Sequence, residues 1–497
     1  MKSADTLRAK KGLKSIVISK PLSAFAGLAT LFLLSRYVDK VEYAAYFAVW
    51  ASVEIILIIS QFGLMHIGYR YIRSEVQADG RIVIDGPVRE TVVLRTFSLF
   101  SVGVVFFVVF GATVFSEFSS IGPLYLSAAV VVAASLEGVL RHCELLLDSM
   151  MNQLAAQISM LIRTLTRPFG FFLCYAFGHL SIQTILIVEL VGLLASCAYL
   201  MYVYRSLMPD LVRRVAYQKS EIVEMVKFAM PGYLAQLVGL LSGADMIKVV
   251  LSSANQSQAV AEFGFALSLA LMVQRYLPIF VFGGVIRPVF VRVGGGETSG
   301  GYGLWSLVGL VSKLNVLLCG SILVFFAAFG VGFVGFVSDG NFVNSYLAIY
   351  VLLLGVLVLG YQATISAYGV AVNDTLPVFW GSIAAALVMP VFVYVVLNLG
   401  AVGAALAWLA GLVASTVVAM YVLRRTFGVG FAAVAKFVAV PMVPVVLSLV
   451  VAAFSGVPVV GTYVAIIGPI FWVGYLIFGR FFSAADLDYM KQVVRAK

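Results

Sequence analysis

From Asp374 to Arg424 no Asp, Glu, Lys or Arg intervenes, and none does from Lys436 to Arg480. These charge-free runs are 49 and 43 residues long, each about twice the ~20 apolar residues that carry a helix across a bilayer. Loops or open strands would leave backbone N–H and C=O groups unpaired in lipid, whereas a helix pairs them within itself. Each run is therefore predicted to be a helical hairpin, and the chain an all-α polytopic membrane protein. The rest of the sequence agrees, being 62% hydrophobic and 11% charged with a mean hydropathy of +1.05.

A net charge of +10 raises the question of nucleic acid, but such binding needs a folded polar surface that this composition does not supply. No nucleic-acid partner is expected. The basic residues fall in short stretches between apolar runs, the pattern of cytoplasmic loops. Cys143, Cys174, Cys197 and Cys319 all lie in apolar segments and show neither metal-ligand spacing nor a disulfide framework. The basic stretch Lys2 to Lys14 is followed by no small-residue cleavage site, so it reads as an interfacial helix leading into an uncleaved first span.

Apolar runs bounded by charge or by Gly, Pro and Asn give about fourteen predicted spans, near 17–36, 43–69, 92–116, 121–145, 150–178, 181–204, 226–250, 260–287, 304–337, 343–372, 376–398, 402–423, 433–454 and 458–479. With the N-terminus inside, Arg70 to Arg95, Arg141, Arg205 to Lys227, Arg287 to Lys313, Arg424 to Lys436 and the tail from Arg480 are cytoplasmic, and only Arg36 and Lys40 lie outside. Both termini are thus assigned to the cytoplasm. No connection is long enough to fold as a domain. The stretch Gly294 to Gly303 lacks the Lys-Ser/Thr ending of a phosphate-cradling loop and reads as a linker. With no nucleotide-binding cassette, metal constellation or hydrolytic triad, the sequence argues for a secondary transporter that is not an enzyme and carries no cofactor.

The chain restarts near residue 226. Pro21 and Pro231 sit early in spans one and seven, followed by Glu42-Tyr43-Ala44-Ala45-Tyr46 in one half and Glu262-Phe263-Gly264-Phe265 in the other. That is the internal duplication common among transporters. The proline-bearing first span, then LLSRYVDKVEYAAYFAVW (33–50) and IISQFGLMHIGYRYI (58–72), resembles the opening of the Wzx-type polysaccharide and O-antigen flippases of the MOP exporter superfamily. MPGYLAQLVGLLSGADMIKVVL (230–251) resembles the start of their second lobe. The resemblance implies a MATE-like fold of two six-helix lobes in a V, here 1–204 and 226–425 joined by 205–225, with two additional spans in 426–497, as in MurJ-type lipid II flippases. It also implies lateral openings between spans one and eight and between spans two and seven. The implied activity is flipping of an undecaprenyl-pyrophosphate-linked oligosaccharide across a bacterial inner membrane, with the lipid-linked glycan, the bilayer and other polysaccharide-assembly proteins as partners.

Ionisable groups inside spans are costly and usually face protein or a wet cavity. Lys20, Glu54, Glu137, Arg163, Arg167, Glu189, Asp245, Lys248 and Arg275 all fall in spans one to eight, which places the polar route there. Arg163 and Arg167 are four apart on one helical face. Two guanidiniums so placed match a pyrophosphate, or they pair with Glu137 or Glu189 as structural bridges. Arg275 lies near the centre of span eight as an anion contact. Lys20 and Lys248 sit near opposite span ends, where snorkelling competes with anion binding. By the resemblance, cationic residues of the first and eighth spans line the cavity, and Lys20 and Arg275 hold comparable places. Glu54, Glu189 and Asp245 are candidates for coupling to H+ or Na+, while Asp245 with Lys248 and Glu137 with Arg141 are spaced to neutralise each other. Competing readings are a drug or metabolite antiporter of the same superfamily, which favours an acidic cavity, and a membrane glycan polymerase or acyltransferase, which needs a large external loop or a catalytic His/Asp/Arg set.

Overall fold

The computed structural model describes residues 3–76, 82–150, 152–207, 218–281, 290, 304–372, 376–427, 439, 442–455, 458–478, 481–482 and 486. The glycine-rich stretch 294–303, Arg287 and Lys436 lie outside the described residues. Packing divides the chain into two units, Met1–Ala261 and Glu262–Lys497.

The first unit holds α1 (Ser3–Tyr37), α2 (Lys40–Ile59), α3 (Leu64–Tyr71), strands β1 (Arg73–Val76) and β2 (Ile82–Asp85), α4 (Val88–Val109), α5 (Gly111–Val114), α6 (Pro123–Ser149), α7 (Gln153–Ala176), α8 (Ile182–Leu207), α9 (Lys219–Leu240) and α10 (Ala244–Ser253). α11 (Ser257–Tyr276) crosses into the second unit. There follow α12 (Pro278–Val281), α13 (Leu304–Ser338), α14 (Tyr346–Ala371), α15 (Leu376–Phe427), α16 (Met442–Ser455) and α17 (Pro458–Phe478). Among the described residues each predicted apolar segment overlaps a helix, without fixing the number that cross the membrane. By length and apolarity alone, eight helices among the described residues qualify to cross a membrane, or nine if the bent pair α9–α10 is one span. α15 is 52 residues long and broken at Gly400 (φ 54°), so the first charge-free run is two helical arms, as predicted. A Cβ at Gly403 would collide with the Val395 carbonyl, which shows how closely the arms approach at the turn.

The strands β1 and β2 depart from the purely helical expectation. They pair antiparallel, Arg73 opposite Asp85 and Val76 opposite Ile82, within the connection before α4.

Span two is not continuous either. Asp39 caps α2 by accepting from the Val41 N–H at 2.9 Å. α2 ends at Ser60, and Phe62 (φ 44°) and Gly63 (φ 74°) turn the chain into α3. Gly63 is required twice over, since a Cβ there would lie 2.8 Å from the Ala229 Cβ. Span seven breaks as well, α9 and α10 being bent by 42°.

The two broken spans pack along each other. Leu64 and Ile67 of α3 bury against Ala229 of α9, the Tyr233 hydroxyl donates to the Ile59 carbonyl at 2.6 Å, and the Arg70 guanidinium lies 4.1 Å from the Phe228 ring centroid. Past the breaks, Lys248 of α10 lies 5.6 Å from the Phe47 ring centroid of α2, and the Ser252 hydroxyl donates to the Val114 carbonyl of α5, in span three, at 2.6 Å. The lateral opening anticipated between spans two and seven is therefore closed in this structure.

In the second unit α13 packs against α14, α16 and α17. Trp472 Nε1 donates to Ser321 Oγ at 2.9 Å and the Tyr350 and Ser448 hydroxyls are 2.8 Å apart. Its described helices from 304 to 478 are almost free of charge, and Lys313 is paired with Asp486 at 2.7 Å.

Candidate functional site

The charged groups of the first unit converge because their helical spacings put them on facing stripes. On α2, Tyr46, Trp50 and Glu54 are each four apart; on α6, Glu137, Arg141 and Glu144 share a face; on α7, Ser159, Arg163 and Arg167 do the same; α8 contributes Glu189. Where the stripes meet, Arg141 grips Glu54 with both terminal nitrogens, one at 2.8 Å, and donates from Nε to Glu137 at 2.6 Å. Glu137 passes the connection on, since its other oxygen accepts from Arg163 at 2.8 Å. Arg163 also reaches Glu144 at 3.4 Å, and Glu144 accepts from the Ser159 hydroxyl at 2.7 Å. A second cluster follows one turn further along α7, where Glu189 accepts from Arg167 Nε at 2.7 Å and from the Tyr46 hydroxyl at 2.9 Å.

The three arginines differ in what they leave open. Arg163 is only 10% exposed and bridges two carboxylates, so it is committed to the interior. Arg141 is 45% exposed but fully engaged by Glu54 and Glu137. Arg167 is 27% exposed and gives Glu189 its Nε alone, leaving both terminal nitrogens without a protein hydrogen bond among the described residues. Its guanidinium carbon lies 5.0 Å from the Trp50 ring centroid, which holds the plane by cation–π attraction. A guanidinium positioned by one bond and a ring, with its fork free, is suited to accept a phosphate group.

Beside Arg167 in sequence, Thr166 and Pro168 line a groove of about 570 Å³ between α1 and α7, with Phe25, Ala29, Leu165 and Phe169.

Other predicted residues are placed elsewhere. Lys248 does not snorkel: it is buried, donates to Asp245 Oδ1 at 2.8 Å, and lies 5.6 Å from the Phe47 ring centroid. Lys20 is half-buried, midway along α1. Arg275 is exposed and sits in the last turn of α11, three residues before the start of α12 at Pro278, a position at a helix end where a span centre was anticipated.

Sequence reasoning missed Glu144, although its seven-residue spacing from Glu137 marks the same face. It missed Tyr46 and Trp50, whose spacing of four to Glu54 was the available signal. Arg95, assigned to a cytoplasmic loop, is buried on α4 and donates to Ser60 Oγ and the Leu57 carbonyl, both at 3.0 Å, satisfying the C-terminal end of α2.

Similar folds are known. A lipid II flippase, MurJ, in an inward closed conformation superposes with a TM-score of 0.66 at 14% identity, covering 96% of this chain and 99% of that one. An inward-facing multidrug resistance MATE family transporter of the MOP superfamily gives 0.58 at 13% identity, over 86% of this chain and 98% of that one. At such identities the likeness is one of fold. No curated protein sequence matches the chain. The model of the family described as polysaccharide biosynthesis protein matches residues 9–293, more than half of the chain, and the chain belongs to that family, built on the multi-pass helical fold of the MOP-superfamily transporters.

Proposed function

We propose that the protein flips a polyprenyl-pyrophosphate-linked oligosaccharide from the cytoplasmic to the periplasmic leaflet of a bacterial inner membrane, with both termini in the cytoplasm and the lobes 1–204 and 226–425 alternating in access. Arg167 is the observation that carries this reading. Its guanidinium fork is open, and the residues on either side of it in sequence, Thr166 and Pro168, line an apolar groove; a lipid-linked pyrophosphate needs both a cation and an apolar surface. Arg163 positions Arg167's helix through its own ion pairs, while Lys20 supplies further positive charge and Lys248 does so when Asp245 releases it; Arg275, in the second unit, is a separate candidate contact for the anion on its path. Glu54, Glu189 and Asp245 each hold a cation in this structure, so protonation or Na+ binding at any of them would free that cation for substrate and couple transport to an ion gradient.

The excess of acids in the network, four glutamates against three arginines, favours a second reading, a cation-coupled drug or metabolite antiporter. One experiment separates the two. In a deletion strain, surface glycan export and the amount of lipid-linked oligosaccharide on the cytoplasmic side are measured after complementation with the wild type and with Arg167→Ala, Arg275→Ala and Lys20→Ala. Flipping requires that the deletion stops export and accumulates the intermediate, and that the alanine variants restore less than the wild type at equal membrane abundance. A deletion strain with normal export and increased sensitivity to cationic drugs would establish the antiporter instead.

A further inference from the structure

The breaks in spans two and seven face the same space. Between Ser60–Gly63 on one side and Leu241–Gly243 on the other lies a cavity of about 340 Å³, lined by Ile58, Gln61, Met65, Gln236, Leu240 and Asp245 among others. It lies wholly in the first unit and is separate from the arginine–glutamate network. The side-chain amides of Gln61 and Gln236 have no hydrogen-bond partner among the described residues, and Asp245 commits one oxygen to Lys248 and leaves the other open. Uncommitted amides and a carboxylate are retained within membrane spans only where water or a ligand meets them.

The lining selects among ligands. A pyrophosphate is disfavoured, because the charge facing the cavity is the Asp245 carboxylate and the nearby Lys248 Nζ is turned toward Asp245 and the Phe47 ring. A bare cation would need a tight oxygen cage, and this cavity is far wider, at the small end of the range for organic ligands. A sugar ring fits both chemistries present. Each amide offers donors and an acceptor to hydroxyl or acetamido groups, the free carboxylate oxygen accepts from a hydroxyl, and Ile58, Met65 and Leu240 provide an apolar wall for a C–H face.

We propose that the cavity between the paired breaks is a subsite for one sugar residue of the transported glycan, read by Gln61, Gln236 and Asp245 and distinct from the pyrophosphate contact at Arg167. This rests on the flippase reading and adds to it a place where glycan identity is sensed.

The test uses the full chain in lipid nanodiscs and the labelled oligosaccharide released by mild acid from the host's lipid-linked pool, which lacks both pyrophosphate and lipid. Equilibrium dialysis should show saturable binding to the wild type. Gln61→Met and Gln236→Met keep side-chain shape and remove the polar contacts, so each should weaken binding about three- to tenfold, as expected for loss of one or two hydrogen bonds, with unchanged elution profile and abundance. Inorganic pyrophosphate should not compete. Unweakened binding by both variants, or displacement by pyrophosphate, overturns the proposal. Absence of oligosaccharide binding in a wild type whose deletion stops glycan export also overturns the subsite but leaves the flippase reading standing. Normal export in the deletion strain overturns both.

Discussion

Arg163 offers the sharpest test of the ion network, because its role is fixed by geometry alone. It bridges Glu137 at 2.8 Å and Glu144 at 3.4 Å while being itself almost fully covered. Arg163→Met keeps much of the volume and removes the charge, leaving Glu144 with Ser159 alone and Glu137 with Arg141. Breaking a buried pair by deleting one partner costs about 3–5 kcal/mol, because a buried charge is stranded. Set against a total stability on the order of 5–15 kcal/mol, that is about a fifth of the fold's margin or more. Arg163→Lys should be intermediate, since a single ammonium cannot span two carboxylates as a planar fork does, and the loss is then about one charge-assisted hydrogen bond, roughly 1.5–3 kcal/mol. The triple variant Arg163→Met, Glu137→Gln, Glu144→Gln removes the stranded charges together and should recover most of the loss, while Arg141 retains Glu54. Fluorescence-detected size exclusion after a heating series would rank the four proteins wild type, triple, Lys and Met. If Arg163→Met survives heating like the wild type, or if neutralising both glutamates fails to rescue it, the network does not hold these helices together and the reasoning is wrong.

Two further outcomes follow from the same geometry. Arg167→Lys keeps the Glu189 pair but loses the open fork, so it should lower glycan export about tenfold or more at normal membrane abundance; full export would remove Arg167 from the substrate path. The closed seam between spans two and seven must part if substrate enters there. Beside one end of it span seven also meets the end of span three, where Ser116 Oγ and Asn255 Oδ1 are 3.1 Å apart, so the pair Ser116→Cys and Asn255→Cys should form a disulfide under oxidant that halts export and is reversed by reductant. Undiminished export with the disulfide quantitatively formed would show that this contact beside the seam stays shut throughout transport.

Much of the fold was legible because lipid imposes so strict a rule on the backbone. Charge-free stretches near 376–398 and 402–423 have no stable alternative to helix, and Gly400 marks the turn between them. The breaks at Ser60–Gly63 and Leu241–Gly243 were harder, since an apolar window does not register a change of direction. Gly63 and Gly243 were visible, but a lone glycine in a span is often just a packing residue. The paired strands have a signal too, an Asp-Gly dipeptide at 79–80 between two short runs, but strands of four residues each are too short for charge and hydropathy to set them apart from a loop. Arg95 shows the limit of reading boundaries from charge. An arginine near a span end looks solvated until the helix it caps is known.

The site was legible as a set of residues and illegible as a set of pairs. Spacing of four on α7 says that Arg163 and Arg167 share a face, and that much was available at once. Which of them is spent on neighbours depends on where α6 and α8 pass, and no single-helix periodicity contains that. For the flippase proposed above, the outcome would have a physical logic. A guanidinium never loses its charge, so a bare one inside a membrane would be too costly to keep and, once loaded, too slow to release. Carboxylate partners solve both problems. Glu189 and Glu54 stabilise the cations when no substrate is present, and an arriving pyrophosphate exchanges one ion pair for another of similar strength instead of creating one. Binding made by exchange is weak enough to reverse on the far side, which is the property a flippase needs from its site. Removal of the guard should therefore have an effect opposite in kind to removal of the cation. Glu189→Gln should tighten binding of the pyrophosphate-bearing substrate while slowing its release, so that export falls although the bound fraction in purified protein rises. A fall in both would show that Glu189 serves only to place Arg167.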